Sequence, residues 1–247
     1  MLTPAKTPPE TEAELLDRAD RLAGRMLKEV ATSMDWEVPP NQQRHKGWVG
    51  QLIETWLGAA AGNRPVPDFE ILGIELKTIP VDSNGKPFES TYVSTMELSD
   101  VDEVDWESSS VSAKLKRVLW VPVQGDKDIP LGDRMIGRAV LWSPNIREES
   151  ALKKDWDSHM RAARDGFAHN IRGSDGDFLQ VRPKAADSTK QTWGVDEFGG
   201  AILTKPRGFY LRALFTEYVL RTQLAAARDT LNSIPAGNPD TESPSED

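Results

Sequence analysis

The chain has 247 residues, a formal net charge of −9, 38% hydrophobic and 28% charged residues, and no cysteine. That length suffices for one large domain or two small lobes with a sizeable core, and the lack of thiols excludes disulfides, zinc–thiolate sites and cysteine nucleophiles. The three histidines, His45, His159 and His169, form no HxH, HxxxH or HExxH pair, which argues against a histidine-built metal centre. The acidic balance argues against indiscriminate nucleic-acid binding, but the charge is uneven. Residues 161–221 collect Arg161, Arg164, Arg172, Arg182, Lys184, Lys190, Lys205, Arg207, Arg212 and Arg221, whereas residues 232–247 carry Asp240, Glu242, Glu246, Asp247 and no base. No opening run resembles a signal peptide and none is long enough to span a membrane, so the expected compartment is a reducing cytoplasm.

Residues 1–9 are Pro- and Thr-rich and read as a flexible N-terminus. Thr11-x-x-Glu14 is a capping-box pattern. It opens an amphipathic helix expected to run to about residue 33, with Leu15, Leu16, Ala19, Leu22 and Met26 on its core face. PPNQQRHKG (39–47) is a loop, and GWVGQLIETWLGAA after it predicts a second helix, apolar nearly all round and so well buried. Strands over 73–81 and 90–98 flank DSNGKPFE, whose Asn84-Gly85 pair signals a hairpin turn. SSSVSAKLK reads as a cap and a short helical turn. RVLWVPV (117–123) and MIGRAVLW (135–142) read as strands, 148–164 as a helix, and FLQVRP (178–183) as a short strand. GSDGD (173–177) lacks the spaced ligands of a calcium loop and reads as a hairpin turn. GFYLRALFTEYVLRTQLAAARDTL (208–231) predicts a closing helix, and composition predicts a disordered acidic tail over 232–247. Helices at both ends of a strand-rich middle predict one α/β or α+β domain over 10–231 with mixed strands.

The segment PDFEILGIELKTIPV carries the chemistry. Alternation along a strand sends Glu75 and Lys77 to one face and Ile74, Leu76 and Thr78 to the other. A turn through FEILG can return Asp68 to the side of Glu75. Two converging carboxylates repel unless a cation lies between them. Mg²⁺, a hard ion that takes carboxylates, carbonyls and water, suits Asp68, Glu75 and the Leu76 carbonyl. Lys77 can then act on a water or a phosphate oxygen, which are the parts of phosphodiester hydrolysis. A Glu–Lys ion pair on a strand surface is the plainer reading of the same residues.

DFEILGIELKTIPVDSNGKP resembles the MutH family of mismatch-repair endonucleases, as do RHKGWVGQLIETWLGA, AKLKRVLWVPV, LWSPN, LQVRPKAA and RGFYLR, in that order, over about residues 10–225. The resemblance implies a restriction-endonuclease-like fold, with a mixed central β-sheet flanked by helices and two lobes forming a DNA cleft. It implies a catalytic and metal-binding set of Asp68, Glu75 and Lys77, with Glu54 as an additional acid on the preceding helix. Lys46 and Lys114 match lysines near the scissile phosphate. Glu54 could instead be a helix-surface charge, but a lone acid on so apolar a helix needs a partner. Arg182, Pro183 and Lys184 match the readers of the GATC bases, and Tyr210 matches a residue near the adenine. Guanine O6/N7 recognition by Arg or Lys fits this set. Tyr92 stands where the family often has Phe. For VRPK and Tyr210 the plainer readings are a surface loop and a core aromatic at a helix start.

The function so implied is Mg²⁺-dependent nicking of the unmethylated strand, 5′ to the G of hemimethylated GATC in double-stranded DNA. The enzyme would act as a monomer, activated by MutL after MutS finds a mismatch, with no membrane partner. Two rivals remain open at this point: a GATC restriction-type endonuclease cutting both strands, and a non-catalytic DNA-binding repair scaffold.

Overall fold

Thr11 caps the first helix, α1 (Glu12–Leu22), by accepting a hydrogen bond from the Glu14 amide at 3.2 Å, so one of the amides that a first turn leaves unpaired is satisfied. The single helix expected to reach residue 33 is instead two. The chain leaves α1 at Ala23, passes Gly24 at φ +77° and restarts as α2 (Leu27–Thr32). A tertiary contact overrides the local periodicity here: Gly24 N–H donates to the Ile136 carbonyl, and Ile136 N–H donates to that of Arg25, each at 2.8 Å. Leu15, Ala19 and Leu22 are buried as the pattern predicts, whereas Met26 is the N-cap of α2. α3 (Trp48–Leu57) buries Leu52, Ile53, Trp56 and Leu57. The N-terminal segment, expected to be loose, is held by Ala5 N–H on the Trp56 carbonyl (3.0 Å) and by Arg18, which donates to the carbonyls of Thr7 and Leu57 (2.8 Å each).

This computed structural model describes residues 2–5, 7–40, 47–59, 66–98, 101, 104–184 and 190–233, with backbone alone beyond residue 226. Most of the loop expected at 39–47 and nearly all of the tail expected at 232–247 lie outside the described residues.

One mixed sheet comprises β1 (Glu75–Val81), β3 (Val118–Gln124) and β4 (Val140–Trp142), with β1 and β3 parallel and β4 antiparallel to β3. Its strands are apolar on both faces because both faces are covered. Ile79, Val81, Val118 and Trp120 join one hydrophobic core, while Leu76, Leu119, Val121 and Val123 join a second core built on α1, α2 and α3. The sheet is therefore a partition between two cores, and Glu75 and Lys77 lie on the Ile79 face of it.

A single central sheet is not what forms. The turn at Asn84-Gly85 exists, with Gly85 at φ +77° and Gly85 N–H on the Asp82 carbonyl at 3.0 Å. Its arms nevertheless part after the Val81–Pro87 bridge. β2 (Thr91–Met96) crosses to a second sheet, where it pairs antiparallel with β8 (Arg207–Leu211), and β8 pairs with β5 (Leu179–Pro183). GFYLR, read from sequence as the start of the closing helix, is thus β8. Its alternation buries Phe209 and Leu211 and leaves Tyr210 half-exposed, and the last helix, α6 (Ala213–Ser233), begins after it. A hairpin of β6 (Thr192–Val195) and β7 (Ala201–Thr204) has no counterpart in the sequence reading. α4 (Ser110–Leu115) forms under its Ser109 cap, and α5 (Ile146–Arg164) under an Asn145–Glu148 capping box. β4 is shorter than predicted, since Met135 and Ile136 make only isolated bridges to Met26 and Val123. The 173–177 turn leads from a 3₁₀ turn at Ala168–Asn170 into β5 and joins no hairpin.

Candidate active site

Two hydrogen bonds between Phe69 and Ile74, at 2.9 and 3.2 Å, close a tight turn and return Asp68 to the side of β1. The Glu75 amide donates to Arg117 next to β3 (3.0 Å). By strand alternation the Leu76 amide and carbonyl therefore face the free edge of β1. There the Leu76 N–H donates to Asp68 Oδ2 at 2.8 Å. Glu75 is 1% exposed, and its Oε1 accepts from Lys77 Nζ at 2.6 Å and from Lys114 Nζ of α4 at 2.9 Å. Its Oε2 is buried with no hydrogen-bond partner among the described residues. One buried carboxylate thus carries two ammonium groups on one oxygen and leaves the other bare.

Glu54 lies on the face of α3 that packs over β1. A Cβ added at Gly50 would stand 3.6 Å from Glu54 Oε1 and 3.7 Å from Thr78 Oγ1. Burial, then the charge of Asp68, pushes the Glu54 carboxyl up from its ordinary range. Burial, then the charge of Glu75, does the same to Asp68, opposed by the Leu76 N–H. Among the described residues no three His, Asp or Glu side chains are gathered closely enough to make a cation cage. The expected metal set of Asp68, Glu75, Glu54 and the Leu76 carbonyl is therefore adjacent and mutually repelling rather than assembled, with Lys77 and Lys114 on Glu75. In chemistry the donors suit a hard divalent cation: the Glu75 Oε2 has no partner among the described residues, and the two flanking acids are disfavoured as anions by burial and by neighbouring negative charge. Lys46 lies outside the described residues.

The second sheet carries the other expected set. Gln180 and Arg182 of β5, Gly208 and Tyr210 of β8, and Tyr92 of β2 share the face opposite to that of Leu179, Val181, Phe209 and Leu211; Gln180 and Gly208 are covered there, while Arg182, Tyr210 and Tyr92 reach solvent. Tyr92 and Tyr210 are cross-strand partners in an edge-to-face contact at 5.4 Å. The Arg182 guanidinium lies 5.9 Å from the Tyr210 ring centre. Lys184 Nζ lies 4.5 Å from that of Tyr92 and donates to Tyr92 Oη (2.5 Å) and Thr95 Oγ1 (2.6 Å). Pro183 closes β5 opposite Arg207. A groove of about 430 Å³ is lined by Glu54, Leu76 and Lys77 of the first set and by Tyr92 and Tyr210 of the second.

Sequence reasoning misses Thr95 and Gly208 on this face. Reading RGFYLR as a strand exposes the signal, since alternation then puts Gly208 beside Tyr210 on one face. Thr95 breaks simple alternation with Tyr92 because β2 carries a register shift between Tyr92 and Ser94.

Comparison with known proteins gives one family. The profile described as "DNA mismatch repair enzyme MutH" matches residues 57–155. The DNA mismatch repair protein MutH of Shewanella amazonensis is 49% identical over 87% of this chain and 96% of its own length. The proteins of that name from Escherichia coli K12 and Enterobacter sp. are 48% and 47% identical, over 88% and 89% of this chain and 95% of their own lengths. At that identity over nearly the whole of both partners, the chain belongs to the MutH family of DNA mismatch repair enzymes.

Proposed function

We propose that this enzyme is a Mg²⁺-dependent endonuclease that nicks the unmethylated strand of hemimethylated GATC sites, 5′ to the G. The observation that carries the reading is the Glu75 carboxylate. It is buried, charge-paired to Lys77 and Lys114 on one oxygen and without a partner among the described residues on the other, and its neighbours Leu76 and Lys77 line a groove that Tyr92 and Tyr210 also line. Asp68, Glu75 and the Leu76 carbonyl would hold Mg²⁺, with Glu54 beside them. When bound, the ion supplies Lewis-acid activation and charge stabilisation at the phosphate. Lys77 orients the attacking water, and Lys114 meets charge that develops on the phosphate oxygens. Arg182 and Lys184 read guanine edges, and Tyr210, in its half-buried pocket against Tyr92, senses whether a methyl group occupies the space beside adenine N6. One centre per chain fits a single nick by a monomer.

With a net charge of −9, the protein is a weak autonomous DNA binder, and activation by MutL supplies the recruitment. No helix among the described residues is long and apolar enough to cross a membrane. The test is nicking of plasmids with one GATC site in unmethylated, hemimethylated and fully methylated form, with Mg²⁺ or EDTA, with and without MutL and ATP. Mg²⁺-dependent nicks confined to unmethylated strands and stimulated by MutL support the reading. Double-strand cleavage without MutL moves the protein to the restriction class, and GATC binding without cleavage moves it to the scaffold class.

A further inference from the structure

β5 carries Arg182 at the edge of its sheet, bonded to a neighbour on one side only. A one-residue slip along β8 would turn Arg182 and Lys184 from the open face to the buried one. Burial of Leu179 and Val181 already disfavours that slip, and α5 adds a second constraint at the strand's entry. Asp155, 3% exposed, points one oxygen at the strand's entry, where Oδ2 accepts from the amides of Asp177 (2.9 Å), Phe178 (2.7 Å) and Leu179 (2.9 Å). One helical turn on, His159, also 3% exposed, places Nε2 2.9 Å from the Leu179 carbonyl, so Nε2–H is the donor. Leu179 is thus held at both its amide and its carbonyl by one face of α5. Gly176 makes the approach possible: it sits at φ +84°, and a Cβ there would lie 2.0 Å from the Leu179 carbonyl oxygen and 3.0 Å from His159 Nε2. From this fixed point the strand places Gln180 opposite Tyr210 and Arg182 opposite Gly208.

We infer that Asp155 and His159 are positioning residues for sequence recognition: they set the register of the strand that reads the bases, without touching DNA or the reacting phosphate. This inference rests on the proposed role of Arg182. Three consecutive amides on one carboxylate oxygen are charge-assisted bonds, stronger than neutral ones and sharply directional. Because the clamp acts on β5, its loss should show in discrimination between sites rather than in the chemistry at Glu75.

The experiment measures kcat/KM for nicking at GATC and at sites altered by one base, for the wild type, Asp155→Ala, Asp155→Asn, His159→Phe and Arg182→Ala. Thermal unfolding establishes which variants are folded. Asp155→Ala should lower the cognate-to-altered ratio about tenfold, the loss also expected of Arg182→Ala, mainly through KM for the cognate site. Asp155→Asn, which keeps an oxygen acceptor, should restore most of the ratio, and His159→Phe, which loses one bond, should lower it less. If nicking falls equally at both kinds of site in the folded Asp155 and His159 variants, the residues are merely structural and the inference fails. If Arg182→Ala leaves the ratio intact, the reading of the face fails and takes the inference with it. Loss with Arg182→Ala alone overturns only the clamp.

Discussion

The Lys184 ammonium group is held by Tyr92 in two ways, 4.5 Å from the ring centre and 2.5 Å from the hydroxyl, with Thr95 Oγ1 as a further acceptor at 2.6 Å. A lysine so satisfied must surrender these partners before it can donate to a base. Tyr92→Phe keeps the ring and its edge contact with Tyr210 but removes one acceptor. A hydrogen bond to a charged group contributes about 1.5–3 kcal/mol when buried, and less where solvent competes as it does here. The variant should bind GATC duplex severalfold more tightly, with kcat little changed. Fluorescence anisotropy in EDTA measures the binding, and equal or weaker affinity would refute the restraint.

Glu75 presents a different kind of dependence, because Lys77 and Lys114 share its Oε1. Lys77→Ala or Lys114→Ala alone leaves the buried carboxylate one cation among the described residues, whereas the double variant leaves it none of them. Removing the last partner of a buried charge costs about 3–5 kcal/mol. The double variant should therefore lose more stability in urea titration than the two single variants added together. Glu75→Ala should abolish nicking with DNA binding retained, and so should Lys77→Ala. Strict additivity of the lysine effects would show that solvent already screens the pair.

Much of this site is legible in the chain because it is local. Asp68, Glu75 and Lys77 lie within ten residues, and strand alternation alone sends Glu75 and Lys77 to one face. The cap at Thr11 and that at Ser109 are likewise short-range, fixed by side chains three residues from the amides they satisfy. What local pattern does not carry is pairing at a distance. Asn84-Gly85 predicts a turn, and a turn forms, but whether its arms stay together depends on β8, more than a hundred residues later in the chain. The same distance hides RGFYL, whose strand character comes from lying between β2 and β5 rather than from its own five residues. Gly24 ends α1 because Ile136 bonds there, another contact that no window of sequence contains.

Asp68 and Glu54 make stability depend on pH in the reverse of the common carboxylate sense. Burial raises both above their ordinary values of 3.8 and 4.5. Between the ordinary and the raised value the folded protein holds more protons than the unfolded chain, so stability falls as pH rises. The penalty is absent below the ordinary values and complete once both groups have ionised. Mg²⁺ bound at Asp68, Glu75 and Glu54 would offset it. The ion should therefore raise Tm more at pH 8 than at pH 5, and EDTA should reverse the shift. Asp68→Asn keeps an acceptor for the Leu76 amide and removes the charge. It should raise Tm at neutral pH without Mg²⁺, by the equivalent of about 1 kcal/mol, while abolishing nicking. A lower Tm in this variant would show that the Leu76 bond outweighs the repulsion.

Gly208 stands opposite Arg182 in β5 and next to the ring of Tyr92. A Cβ added there would lie 3.1 Å from Tyr92 Cε2, 3.2 Å from the Ser94 carbonyl oxygen and 3.4 Å from Tyr210 Cε2. The rings can swing by a few tenths of an ångström, but the carbonyl belongs to the β2 backbone and yields less readily. Gly208→Ala should leave the β8 ladder formed and push Tyr92 and Tyr210 off their edge-to-face contact. Stability should drop by about 1–3 kcal/mol, the usual range for overpacking. Discrimination between hemimethylated and fully methylated GATC should weaken further than nicking of unmethylated sites, because on the proposed reading the new methyl group crowds the space where Tyr210 meets the adenine. A variant that loses activity equally on all three substrates would place the effect in the fold, and one that keeps full discrimination would remove Tyr210 from the reading of adenine.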